Sequence, residues 1–143
     1  MVLGGAVILL AAGCGGGGGG GGDGGSGDLA TEAQEVGAIL DRIEALGEST
    51  TTEQAFTTEL DQISTEVQAA IEEVSDADAP EELESEKAKL ANRLLALRTQ
   101  LSRAKGLAEG GDLEAAQAAV VSFLSIGEIR TTIENIQSAP AER

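Results

Sequence analysis

The chain has 143 residues, 9 of them basic and 25 acidic, with one cysteine, no histidine and a formal net charge of −16. That charge repels nucleic-acid phosphates and anionic lipid headgroups, so nucleic acid is not an expected partner. Without histidine there is no His-based acid–base pair, triad or metal triad, and a single cysteine closes no intramolecular disulfide.

The chain opens on Val2–Gly13, an apolar stretch of twelve residues ending in small side chains. A bilayer-spanning helix needs about 20 apolar residues, so this stretch is too short to span and has the length of a signal-peptide hydrophobic region. It runs into Leu10-Ala11-Ala12-Gly13-Cys14. The motif resembles the lipobox of bacterial lipoprotein precursors. The resemblance implies that the Cys14 thiol receives a diacylglyceryl group and that residues 1–13 are removed as a signal peptide. Cys14 then opens a mature chain anchored on the extracytoplasmic face of the cell membrane. Ala11 stands where that family more often carries leucine. No Lys or Arg precedes the apolar stretch, where signal peptides normally carry positive charge, and only the α-amino group of Met1 supplies it.

Residues 14–27 read as the lipidated cysteine and its tether. Gly15–Gly22 are eight consecutive glycines, and only Asp23 and Ser26 interrupt glycine up to Gly27. Glycine loses the most backbone entropy on ordering, so a disordered leash is expected. Its thirteen residues have an r.m.s. span of roughly 20 Å and a limit of about 45 Å.

Residues 28–138 read as one all-α domain, with 139–143 as a tail. Good helix formers dominate and strand signals are absent. Asp28 is the expected cap of a first helix whose apolar stripe is Leu29, Val36, Ile39, Leu40, Ile43 and Leu46; Gly47 ends it and Glu48-Ser49-Thr50 turns the chain. Thr50-Thr51-Thr52-Glu53 fits a capping box for a second helix with the seam Phe56, Leu60, Ile63, Val67, Ala70, Ile71 and Val74. No Lys or Arg occurs from Thr51 to Asp78. Pro80 suits the first turn of a third helix with the near-heptad seam Leu83, Leu90, Leu94, Leu97, Leu101, Ala104 and Ala108. Six of the nine basic residues lie on it, which makes the acidic second helix its natural antiparallel neighbour.

Gly110-Gly111-Asp112 reads as a stop and restart. The fourth helix begins with Leu113, Ala116, Val120 and Leu124 on one side and continues with Ile126, Ile129, Ile133 and Ile136. At 100° per residue the two stripes point in nearly opposite directions, so a break or kink is expected at Ser125–Gly127. Short loops predict an antiparallel, up-down four-helix bundle. Two hairpins completed by dimerisation are the alternative.

Candidates for chemistry are few. The glycine run lacks the Gly-Lys-Ser/Thr of a phosphate loop, and Asp76-x-Asp78 lacks the remaining ligands of a calcium loop. Lys87 falls on the leucine seam, where its stem can lie over apolar surface while the ammonium reaches water beside Glu84 or Glu86. Phe56 and Phe123 read as core. A hydrolase using only carboxylates would need two of them converging in a cleft, and the seams contain none. No catalytic residue, cofactor or metal site is therefore expected; Cys14, as the lipidation site, is the one functional residue. The body resembles in pattern the small helical lipoproteins common in high-GC bacteria, a likeness that carries no activity with it. The expected function is a non-enzymatic, membrane-anchored envelope module that binds another protein or itself. A small-ligand or solute-binding lipoprotein is the alternative.

Overall fold

The computed structural model describes residues 27–48 and 51–139. Cys14, the apolar stretch, most of the glycine tether, Ser49-Thr50 and the tail from Pro140 lie outside the described residues. Five helices follow in order: α1 (Leu29–Glu48), α2 (Glu53–Asp76), α3 (Glu84–Glu109), α4 (Leu113–Val121) and α5 (Leu124–Ser138). A 3₁₀ turn, Glu81–Leu83, leads into α3. Among the described residues the one β-type feature is a parallel bridge between Asp28 and Asp78.

Each helix buries the stripe that its spacing defines. The seam positions of α1 and α2 are all buried, with Ala33 added to α1, and Phe56 and Leu60 have no exposed surface. On α3 the residues Leu90, Leu94, Leu97, Leu101, Ala104 and Ala108 are buried and Leu83 partly so. Full burial of a leucine- or phenylalanine-sized side chain stabilises by about 1.5–3 kcal/mol, so this axis dominates the energetics. α1 packs on α2, α4 and α5, and α3 packs on the same three, so α2 lies diagonally across from α4 and α5. Pairs such as Asp61 with Lys105 and Gln68 with Arg98 run in opposite sequence order, as antiparallel neighbours must. α4 and α5 together serve as the fourth rod of an all-α, up-down four-helix bundle.

The ends of the elements show local chemistry. The N-cap of α2 is Thr52, whose hydroxyl accepts from the Ala55 N–H at 3.2 Å. Glu53 is therefore the first helical residue and not the third, so the capping box expected from Thr50 is replaced by a simple threonine cap. The Asp112 carboxylate caps α4 by accepting from the Ala115 N–H at 3.0 Å. Before it, the Asp112 N–H reaches the Leu107 carbonyl and the Gly111 N–H reaches that of Ala108, which is a Schellman ending for α3. Gly111 sits at φ +89°, the left-handed conformation that this ending requires.

The fourth rod does break, but earlier than expected. α4 stops at Val121, and the two residues outside helix are Ser122 and Phe123. The Ser122 hydroxyl donates to the carbonyls of Ala118 and Ala119, satisfying the last turn of α4, while Phe123 turns extended with ψ 105°. Gly127 lies inside α5, with open space where a Cβ would stand. Leu124, read as part of the α4 stripe, is 83% exposed as the first residue of α5. Breaking before it lets Ile126, Ile129, Ile133 and Ile136 all face the core.

A glycine inside a helix costs roughly 0.5–1 kcal/mol relative to alanine. Because Gly127 is not the hinge, Gly127→Ala should raise stability by about that amount in urea unfolding. A loss of stability would mean that the bend depends on Gly127 after all. Gly47 is the contrasting case. A Cβ there would stand 2.9 Å from a Val121 methyl and 3.2 Å from one of Val120, so its missing side chain is what lets α1 approach α4.

Candidate functional site

Polar side chains line the flanks of the seams and mark where chemistry could lie. Arg42 of α1 donates to both Glu59 and Glu66, one heptad apart on α2. Arg130 of α5 reaches Asp41 at 2.8 Å and Glu44 at 2.7 Å on α1. Lys105 lies 2.6 Å from Asp61, and Arg98 donates to Gln68. Between α3 and α5 the pairs are Asn135 to Glu86, Arg93 to Thr132 and the Glu128 carbonyl, and Ser125 to Gln100. The α3 members Glu86, Arg93 and Gln100 are seven residues apart. Hydrogen bonds from Lys89 and Asn135 hold the Glu86 carboxyl below its usual range. The expected pairing of acidic α2 with basic α3 is present but shared, since Arg42 takes two of the α2 carboxylates.

Lys87 is partly covered, with its ammonium 4.0 Å from Glu84, as a side chain reaching outward from the seam would be. Phe56 is fully buried and Phe123 half-buried at the break. Asp76 and Asp78 have exposed side chains, and the backbone of Asp78 serves structure. Its N–H donates to the Gly27 carbonyl at 3.0 Å, and its carbonyl accepts from the Leu29 N–H at 3.3 Å. The bridge joins the tether's exit to the turn between α2 and α3.

One convergence was missed at the level of sequence. Glu32 and Glu35 on α1 meet Glu73 on α2, with carboxylate oxygens within 4.8 Å of one another. Burial, then the charges of Glu35, Glu73 and Asp28, raise the Glu32 pKa above its ordinary value of 4.5. The signal available was the acidic end of α2, but the facing register needed the structure. Oxygen donors of this kind suit a hard divalent cation. Glu35 and Glu73 are exposed, however, and among the described residues no other carboxylate lies within the same distance of all three.

The surface of the described residues also carries open grooves, among them two lined in part by basic side chains. One, of about 440 Å³, lies between α1 and α5 over Gly37, Ala38 and Ile133, with Arg130 and Asp41 at its rim. The other, of about 610 Å³, lies between α2 and α3 beside Asp61, Arg98, Arg103 and Lys105. Both are surface depressions; Arg130 and Lys105 are engaged by carboxylates of the bundle and Arg98 by the Gln68 amide oxygen, while Arg103 forms no ion pair among the described residues. No family model, curated protein or solved structure matches the chain.

Like charges this close cost about 1 kcal/mol per pair even at the dielectric of water. The raised Glu32 pKa means that protonation is easier in the folded state. The stability withheld by this group is restored as pH falls through that pKa and is lost as pH rises through it. Glu32→Gln should therefore raise the melting temperature at pH 7 and in low salt. The difference from wild type should shrink in high salt and vanish below the ordinary value of 4.5. Calorimetry across pH checks this; an unchanged melting temperature at pH 7 would show that the three charges are already relaxed in solution.

Proposed function

We propose that this chain is a bacterial envelope lipoprotein: a non-enzymatic helical interaction module held at the extracytoplasmic face of the cell membrane by lipid on Cys14. The observation that carries the reading is the order of parts. A twelve-residue apolar stretch ends in Leu10-Ala11-Ala12-Gly13-Cys14, a glycine run follows, and the run leads to one end of a helical body. No helix among the described residues is long and apolar enough to cross a membrane. Two or more acyl chains give stable attachment, because each buried CH₂ contributes about 0.8 kcal/mol.

Support for a module that acts by binding comes from the body itself. Its axis is filled with aliphatic side chains, and among the described residues no buried side-chain polar atom is left without a partner. Buried reactive groups are what an active site would need, and the titratable side chains here lie on the flanks. The small-ligand reading has weaker support. The α1–α5 groove has the volume for a small solute, but it is open and its arginine is already engaged by two acids.

Cys14→Ala tests the anchor. The expected result is loss of the protein from the membrane fraction with its helicity unchanged. Mass spectrometry of the wild-type N-terminus should find a diacylglyceryl-cysteine as the first residue. A soluble wild-type product that retains residues 1–13 and a free thiol would overturn the assignment.

A further inference from the structure

The surface at the α4–α5 break differs from the rest of the body. From Ala115 to Gly127 the chain carries no charged residue for thirteen positions, the longest such run after the tether in a chain of net charge −16. Two of its aliphatic side chains are turned to solvent: Val121 is 63% exposed and Leu124 is 83% exposed. Phe123 sits half-buried between them, and Ala118 and Ser122 are exposed on the same segment. The break itself produces this prong. By leaving helix at Ser122 and Phe123, the chain buries Val120 and Ile126 and places the two residues beside the break, Val121 and Leu124, outside.

The two most exposed large aliphatic side chains of the described residues thus flank one uncharged break, a placement that suits contact with something apolar. Two side chains offer far less than the ~800 Å² per partner of a stable protein–protein interface. A second copy would also bring another −16 of charge to the contact. A bilayer suits the prong better, because the lipid anchor would supply the affinity that two side chains lack. Gly47, at the far end of α1, touches Val120 and Val121, whereas the tether joins the other end of that helix at Gly27. A helix of 20 residues is about 30 Å long, and thirteen residues from Cys14 reach about 45 Å. A leash of that reach makes contact with the membrane an intramolecular event at high effective concentration.

We propose that Val121 and Leu124 insert into the interfacial region of the bilayer that holds Cys14, so that the bundle lies along the membrane rather than standing from it. This rests on the anchor assigned above. The acidic residues that border the run, Glu114 and Glu128, make zwitterionic lipid the preferred surface.

The chain has no tryptophan, so Leu124→Trp introduces a lone indole reporter. The full lipidated protein is reconstituted in phosphatidylcholine vesicles containing brominated lipid, with Thr58→Trp on the outer face of α2 as the control. Quenching of Leu124→Trp should exceed that of Thr58→Trp by at least about twofold, since only an inserted side chain meets the acyl region. It should fall when phosphatidylglycerol is added or when Val121→Asp is combined with it, with helicity unchanged. Equal quenching at the two sites in protein that floats with the vesicles would overturn the insertion and leave the anchor standing. A concentration-dependent blue shift of Leu124→Trp without lipid would make a second copy the occupant and overturn it equally. If wild type and Cys14→Ala both fail to float, the anchor has failed, and the insertion with it.

Discussion

One requirement governs this molecule: four aliphatic stripes have to close on a single axis, because the chain has nothing else to hold it. It has no disulfide, two phenylalanines, no tyrosine and no tryptophan. Leu60, Leu94, Leu97, Leu101 and Ile129 are all without exposed surface, and the alanines Ala33, Ala104, Ala108 and Ala116 bring the rods close. Apolar burial is non-directional, so it favours compactness without choosing which turn of one helix meets which turn of the next. That choice falls to the flanks. Pairs at heptad spacing tie α3 to α5 and α2 to its neighbours, and a slip of one turn would separate all of them together. Each exposed ion pair contributes little by itself, as screened surface pairs do. Their value lies in agreeing on one register.

The break in the fourth rod follows from the same requirement. Continuous helix from Leu113 to Ser138 would have turned either the α4 stripe or the isoleucine stripe of α5 away from the axis. Two residues out of helix solve this, and the Ser122 hydroxyl donates to the carbonyls of Ala118 and Ala119 at the end of α4. The solution leaves Val121 and Leu124 outside, so an exposed apolar feature arises as a by-product of filling the core. It is also the one long stretch of the body without charge.

Periodicity made most of this legible in the sequence. Every seam residue read on α1 and α2 is buried, as are those on α3 except Leu83, which is half-covered, because spacings of three and four are a direct statement about which side of a helix faces inward. What periodicity could not supply was local hydrogen bonding. Gly127 drew the expected break toward itself because glycine is a poor helix former, yet helix runs through Gly127 and the break falls at Ser122 and Phe123, a position that the spacing of the stripes leaves open by a few residues. The cap of α2 moved from Thr50 to Thr52 for a similar reason: three threonines in a row offer the same oxygen, and only the geometry selects one. The meeting of Glu32, Glu35 and Glu73 depended on the relative height of two rods, which no single stripe encodes. Cys14 lies outside the described residues, so the lipidation reading stands on its motif.

The bridge between Asp28 and Asp78 has a mechanical meaning. A chain tugged from its N-terminal side would ordinarily peel α1 from its end, one turn at a time, since the first turn of a helix frays at low cost. Here the backbone of the entering strand is pinned by two hydrogen bonds to the corner between α2 and α3. A pull on the N-terminal side of Gly27 would thereby be divided between the first helix and a corner belonging to two others. Peeling of the first helix would then begin only after those two hydrogen bonds had parted.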